Sequence, residues 1–145
     1  MAPSGRRSDK LSNQNGDVRI RPVVPADALT WEALRCAHWP DGAADHGPEI
    51  ASFFAGTLPK PDAVFAALLP SGEMVGFTEL SIRTDLPGTD GKRTGYVEGL
   101  YIRPEHRGHG LARRFLITAR NWSREQKCAA FASDRAGRLI FDRSY

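Results

Sequence analysis

Cysteine is scarce in this 145-residue chain, with two residues in all, and their placement excludes more than their number. Cys36 and Cys128 lie in unrelated segments without Cys-x-x-Cys or Cys/His spacing. Neither a disulfide framework nor a metal site is expected, and both read as reduced, mostly buried thiols. Long apolar runs are missing too: Ala63 to Leu69 falls far short of the roughly 20 residues that cross a bilayer. Residues 1–16 carry no hydrophobic segment behind Arg6-Arg7, which argues against a signal peptide or anchor and for a cytoplasmic protein with no membrane partner. There is no Gly-Lys-Ser/Thr phosphate loop and no three-glycine dinucleotide fingerprint, so ATP and NAD are poor candidates. Aromatic residues, 9% of the chain, are sparse among its basic residues, and no nucleic-acid recognition motif is present.

What remains is the balance of one globular domain, 41% hydrophobic and 26% charged. The net charge of +3 hides an uneven distribution: residues 1–16 carry +2, residues 17–102 carry −5, and residues 103–145 carry +6. An anionic partner for the C-terminal third and a cationic one for the middle follow from that asymmetry, unless these are only solvated faces.

Residues 1–16, rich in Ser, Asn and Gly, read as a disordered tail, and 17–145 as the folded domain. Val18 to Val23 alternates like a half-buried strand. Pro25-Ala26-Asp27 opens a helix that Trp39-Pro40-Asp41-Gly42 breaks, and a second helix spans about Ala44 to Ala55, stopped by Gly56. Ala63–Leu69 and Met74–Ile82 form a hairpin around Pro70-Ser71-Gly72-Glu73. A third long strand, Gly95 to Ile102, leads into Arg107-Gly108-His109-Gly110 and then a helix from Leu111 to about Lys127. On that helix Leu111, Ala112, Phe115, Leu116, Ala119 and Trp122 share one face. Ala129 to Ala132 is a last short strand. Hairpins mixed with helices predict an α/β class, an α+β mixed sheet.

The strand, glycine-rich loop and basic helix from Gly95 to Ala112 form a phosphate cradle by construction. Little side-chain bulk lets backbone N–H groups face one anion, and the helix adds its positive dipole end. Arg107-Gly-His-Gly-Leu-Ala112 resembles the Arg/Gln-x-x-Gly-x-Gly/Ala signature by which the GNAT superfamily of N-acetyltransferases binds the pyrophosphate of acetyl-coenzyme A. Within that superfamily the chain resembles the aminoglycoside 6′-N-acetyltransferases. Leu34-Arg-Cys-Ala-His-Trp-Pro-Asp41, Gly76-Phe-Thr-Glu-Leu-Ser-Ile-Arg83, Gly95-Tyr-Val-Glu-Gly-Leu-Tyr-Ile102 and Phe131-Ala-Ser-Asp134 stand in that family's order.

The resemblance implies a GNAT-like fold with acetyl-coenzyme A as co-substrate. The backbone of Leu100, Tyr101 and Ile102 would hold the pantetheine arm, Arg107, Gly108, His109, Gly110, Leu111 and Ala112 would hold the pyrophosphate, and an amide near Leu100 would face the thioester carbonyl. Arg113 or Arg114 either touches a phosphate or faces solvent. Glu98 and Asp134 are the expected catalytic carboxylates, because an ammonium must lose a proton before its nitrogen attacks. Glu98 interrupts an apolar strand, where an acid needs a partner or a cleft; pairing with a neighbouring arginine, and for Asp134 a turn cap, are the structural alternatives. Trp39, Asp41, Glu79, Glu98 and Asp134 are the expected substrate contacts, with Trp39 stacking on a sugar ring or packing between helices. His38, Asp41, Asp45 and His46 fit no familiar metal spacing, and no metal is expected.

The resemblance spans about Val18 to Asp134. After Ala-Ser-Asp the family continues with a helix and a strand pair, whereas this chain has eleven residues, Arg135 to Tyr145, enough for one short element. A C-terminally truncated sheet is therefore expected, with the Ala129–Ala132 edge unpaired. The reading is acetyl transfer from acetyl-coenzyme A to an amine, foremost the 6′-amine of an aminoglycoside, by direct attack in a ternary complex. Another small or protein amine, an inactive coenzyme A-binding remnant, and a homodimer stay open.

Overall fold

The computed structural model describes residues 17–135, 137–142 and 145; the tail expected at residues 1–16 lies outside them. The alternating start forms β1 (Arg19–Pro22), followed by a single 3-10 turn at Pro25–Asp27. Asp27 fixes the turn by accepting the Val24 amide at 2.8 Å and the Arg21 guanidinium at 2.7 Å. Helix α1 (Ala28–His38) follows, then a turn at Pro40–Gly42, then α2 (Ala43–Ala55). Gly56, at φ +75°, ends α2, because a left-handed cap carries no Cβ penalty at glycine. The remaining elements are β2 (Ala63–Leu68), β3 (Met74–Arg83), β4 (Thr94–Ile102), α3 (Leu111–Glu125), β5 (Ala130–Arg135) and β6 (Arg138–Phe141).

The six strands lie in sequential order in one sheet. Neighbours are antiparallel except β4 and β5, which are parallel because α3 crosses over between them. Helices α1 and α2 cover one face, packing Trp31, Leu34 and Ile50 on Val64, Ala66 and Phe77. Helix α3 covers the other, with Leu111 and Phe115 on Val75 and Ile102, and Ala119 near Leu80, Val97 and Phe131. The face read from the sequence is nearly right. Ala112 is exposed and Ser123 is buried instead, since Leu111, Phe115 and Ala119 recur every four residues and Ser123 continues that row. The buried Ser123 hydroxyl is satisfied by the Ala119 carbonyl at 3.0 Å. Cys128 is buried and Cys36 only half-buried; both are free.

The expected bare edge is not found. Strand β5 runs through Asp134, and the short C-terminal run folds back through Gly137 (φ +76°) as β6, pairing Ala132 with Phe141 and Asp134 with Leu139. The exposed edge moves outward to β6, where Ile140 and Phe141 stay partly uncovered.

Two irregularities in β4 position the site. Strand β5 pairs with it only from Thr94 to Val97, so beyond Val97 the β4 edge that faces β5 diverges from it. Opposite β3 the register shifts by one residue, with Leu80 facing Val97 but Glu79 facing Gly99. Glu98 is the extra residue of that bulge, which re-aims side chains where a regular strand would alternate.

Candidate active site

On the far side of the bulge lies a cavity of about 510 Å³, walled by Leu100, Tyr101 and Ile102 from the uncovered part of β4 and by Arg107, Gly108, Gly110, Leu111 and Ala112. Gly108 and Gly110 take φ of +81° and +84°, and neither has an atom within 4 Å of where a Cβ would sit. The loop is thus open on its concave side, and the first amides of α3, which have no partner inside the helix, lie at its mouth. This fits a pyrophosphate and an extended thiol arm. Eight of the nine residues expected to hold the co-substrate line the cavity; His109 does not, and the buried His106 lines it instead. Arg107 donates from Nε to the Ile102 carbonyl at 2.8 Å and stands 5.5 Å from the Tyr101 ring, so it also fastens the end of β4. Arg114 is committed elsewhere, donating to the Val18 carbonyl at 2.6 Å, and Arg113 is exposed.

His38 lines the same cavity, half-buried, 5.7 Å from Tyr101 and 4.5 Å from Trp39. Burial, and then the charge of Arg107, lower its pKa from the ordinary imidazole value. Its neighbour Trp39 lines a second cavity of about 350 Å³, walled also by Arg35, Asp45, Glu49, Glu79, Arg83 and Glu98 among others. Its ring presses on the backbone of Gly99, where a Cβ would lie 2.5 Å from Cζ2. On its other contacts the Arg35 guanidinium stands 5.4 Å from the ring centroid, and Phe77 6.0 Å. Of the two sequence alternatives for Trp39, packing is what the structure shows, against His38, His46 and Phe77, and the ring also lines the cleft.

The carboxylates are less free than their number suggests. Glu79 is almost wholly buried, with Oε2 accepting from Trp31 Nε1 at 3.1 Å and facing Arg35 Nε at 3.1 Å. Burial raises its pKa against the pull of Arg35 and Trp31. Glu79, an expected substrate contact, is therefore part of the cleft floor and tied to Trp31 and Arg35. Arg35 also meets Glu49 at 3.0 Å. Glu98 is held by Arg83, whose Nε and Nη2 both approach Oε2 at 2.7 Å, which is the arginine pairing left open by the sequence. Asp41 is exposed on the Pro40–Gly42 turn and is not among the cleft residues, whereas Asp45 is. Asp134 sits within β5, outside the cleft wall, and accepts a hydrogen bond from the Tyr96 phenol. Burial, and then that bond, push the Tyr96 pKa up to about 12.

Arg35, Arg83, Tyr96 and His106 are the site residues the sequence reading missed. Arg83 carried a signal: on β3 it follows Glu79 by four residues and so shares its face. Among the described residues there is no cluster of three or more His, Cys, Asp or Glu able to hold a metal, and no helix long and apolar enough to cross a membrane.

A mixed sheet whose parallel pair splays beside a glycine loop, next to a carboxylate-bearing cleft, is the arrangement of an acyl-transfer enzyme using a thioester donor, and the chain belongs to the acetyltransferase (GNAT) family, whose model matches residues 27–139. Within it, the chain is similar to an aminoglycoside N(6′)-acetyltransferase type 1 of Klebsiella aerogenes, 39% identical over 116 residues that cover 79% of this chain and 76% of that protein. The type 1 enzyme of Stenotrophomonas maltophilia is also 39% identical, over 79% of this chain and 73% of its own. Among solved structures, AAC(6′)-Iy in complex with the bisubstrate analog CoA-S-monomethyl-acetylneamine superposes with a TM-score of 0.72 at 26% identity, covering 82% of this chain and 80% of that one. AAC(6′)-Ih from Acinetobacter baumannii gives 0.71 at 27% identity, covering 82% and 80%.

Proposed function

We propose that this acetyltransferase moves the acetyl group of acetyl-coenzyme A to the 6′-amine of an aminoglycoside, with Glu98 as the base. The observation that carries the reading is the position of Glu98: a bulge places it at the wall of the amine cleft, one residue from the Gly99 backbone that Trp39 covers and two from the uncovered β4 edge at Leu100. The cavity along Leu100–Ile102 suits the co-substrate, and the cleft that Trp39 lines suits a cationic amine. The names of the relatives supply the substrate class.

Acetyl-coenzyme A supplies the activated acyl group. Leu100, Tyr101 and Ile102 hold its arm along β4, and the Gly108–Ala112 amides hold its phosphates. Glu98 takes a proton from the bound ammonium, directly or through one water, which frees the nitrogen lone pair to attack the carbonyl carbon. The Leu100 amide stabilises the charge that develops on the carbonyl oxygen. The carbon–sulfur bond then breaks; the nitrogen gives up a second proton as the amide forms, that proton ends on the departing thiolate, and Glu98 returns the first to solvent. No side-chain nucleophile enters, since neither Cys36 nor Cys128 lines either cavity. The main contribution of the fold is alignment of amine and thioester.

Glu98→Gln keeps the side-chain volume and removes the proton acceptor. Turnover is expected to fall by about a hundredfold or more, with coenzyme A binding by calorimetry unchanged; undiminished turnover excludes Glu98 as the base.

A further inference from the structure

We infer that Arg83 is a positioning residue for this acetyl transfer, holding Glu98 by one carboxylate oxygen so that the other is presented to the amine. The inference rests on the reading of Glu98 as the base. Arg83 closes β3, in register with Thr94, on the same face as Glu79 and Glu98. Its Nε and Nη2 converge on Oε2 of Glu98 at 2.7 Å each, so both arms of the guanidinium meet the same carboxylate oxygen. Two donors on Oε2 use both of its acceptor sites and leave both of those on Oε1, whereas a fork across the two oxygens would tie each of them to the guanidinium. The one-oxygen grip fixes the carboxylate plane and leaves Oε1 for the incoming N–H.

The grip is itself braced. Asp85 lies 3.6 Å from Arg83 Nη1, and the guanidinium stands 5.8 Å from the ring centroid of Tyr96, whose phenol is tied to Asp134 on β5. Hydrogen bonding to Glu98 raises the Arg83 pKa, so the clamp is a permanent cation. The bulge makes such a device necessary: Glu98 is the residue without a cross-strand partner, so nothing in the ladder fixes its direction. The same cation stands in the wall of a cleft meant for an ammonium, where electrostatics alone would disfavour it. A residue that opposes substrate binding yet orients the base has a kinetic signature distinct from that of a residue that only builds the pocket.

The test is a double-substitution cycle with Arg83→Gln, Arg83→Lys and Glu98→Gln, using kanamycin as the amine, with melting temperature and coenzyme A affinity measured on each variant. Arg83→Gln is expected to lower kcat by about tenfold while KM for the amine stays level or falls, because a positive charge leaves the cleft. Arg83→Lys, which keeps a point charge but not the fork, should recover part of the loss. In the Glu98→Gln background, Arg83→Gln should add little, since residues that act through one another are non-additive. A higher KM at unchanged kcat, or a full additional loss on top of Glu98→Gln, overturns the inference and leaves Glu98 standing. Full turnover by Glu98→Gln overturns the reading of the base and the inference with it. If Arg83→Gln does not fold cooperatively, Arg83→Lys decides: kcat lowered with KM held supports the clamp, and wild-type kcat rejects it.

Discussion

The indole of Trp39 rests on the Gly99 backbone so closely that no other residue fits there, which links the wall of the amine cleft to the residue after Glu98. Gly99 does not adopt a positive φ, so its role is the absence of a side chain. Trp39 fills the space a Cβ would claim, and the ring borders the amine cleft where β4 leaves its bulge.

Gly99→Ala should therefore destabilise the protein by about 1–3 kcal/mol through overpacking and raise KM for the amine as Trp39 is displaced. Chemical denaturation and steady-state kinetics measure both. Pairing the substitution with Trp39→Ala should restore part of the lost stability but none of the activity. Equal stability of Gly99→Ala and wild type would show that Trp39 moves aside without cost.

The cradle offers a second check. Gly110 caps α3 at φ +84°, and a Cβ there meets nothing. Gly110→Ala should thus act through the backbone alone, at roughly 1–2 kcal/mol of left-handed strain. Relief of that strain moves the amides at the helix mouth. Coenzyme A affinity is expected to weaken about tenfold, with KM for the amine little altered. An equal change in both constants would mean that the loop serves the whole site rather than the phosphates.

Tyr96 gives a prediction in the alkaline range. Its folded pKa, pushed up to about 12, lies above the ordinary value of 10.0. Its contribution to stability is fully present below pH 10 and is lost as pH rises through the folded value. Tyr96→Phe should flatten the decline of stability between about pH 10 and 12. Absorbance titration of tyrosinate should show one late-titrating phenol fewer. An unchanged pH profile would mean that neither the burial of Tyr96 nor its bond to Asp134 carries linkage.

Much of the fold was legible in the sequence because its signals are local. Alternation marked β1, a turn at Pro70-Ser71-Gly72-Glu73 after an apolar run marked the β2–β3 hairpin, and the four-residue recurrence of Leu111, Phe115 and Ala119 marked α3. The glycine loop announced the cradle, since open backbone there has a purpose readable from residue type alone. The bulge at Glu98 was not legible, because a one-residue register shift is a property of two strands together. Arg35 and Arg83 were missed for the same reason: each acts through a partner distant in sequence, Arg35 on α1 through Glu79 on β3 and Arg83 on β3 through Glu98 on β4. Asp41 and Asp45 show the limit of spacing arguments, as four residues along the chain separate an exposed turn from the cleft wall. The closing strand β6 depended on a glycine turn at Gly137 that the short tail concealed.

The most direct test of the central claim is consumption of acetyl-coenzyme A by the purified chain with kanamycin, beside a matched aminoglycoside that carries hydroxyl at the 6′ position. The account predicts thiol release with the 6′-amine compound alone and a product acetylated at that nitrogen. Equal release with both compounds, or none with either while coenzyme A still binds, would contradict it.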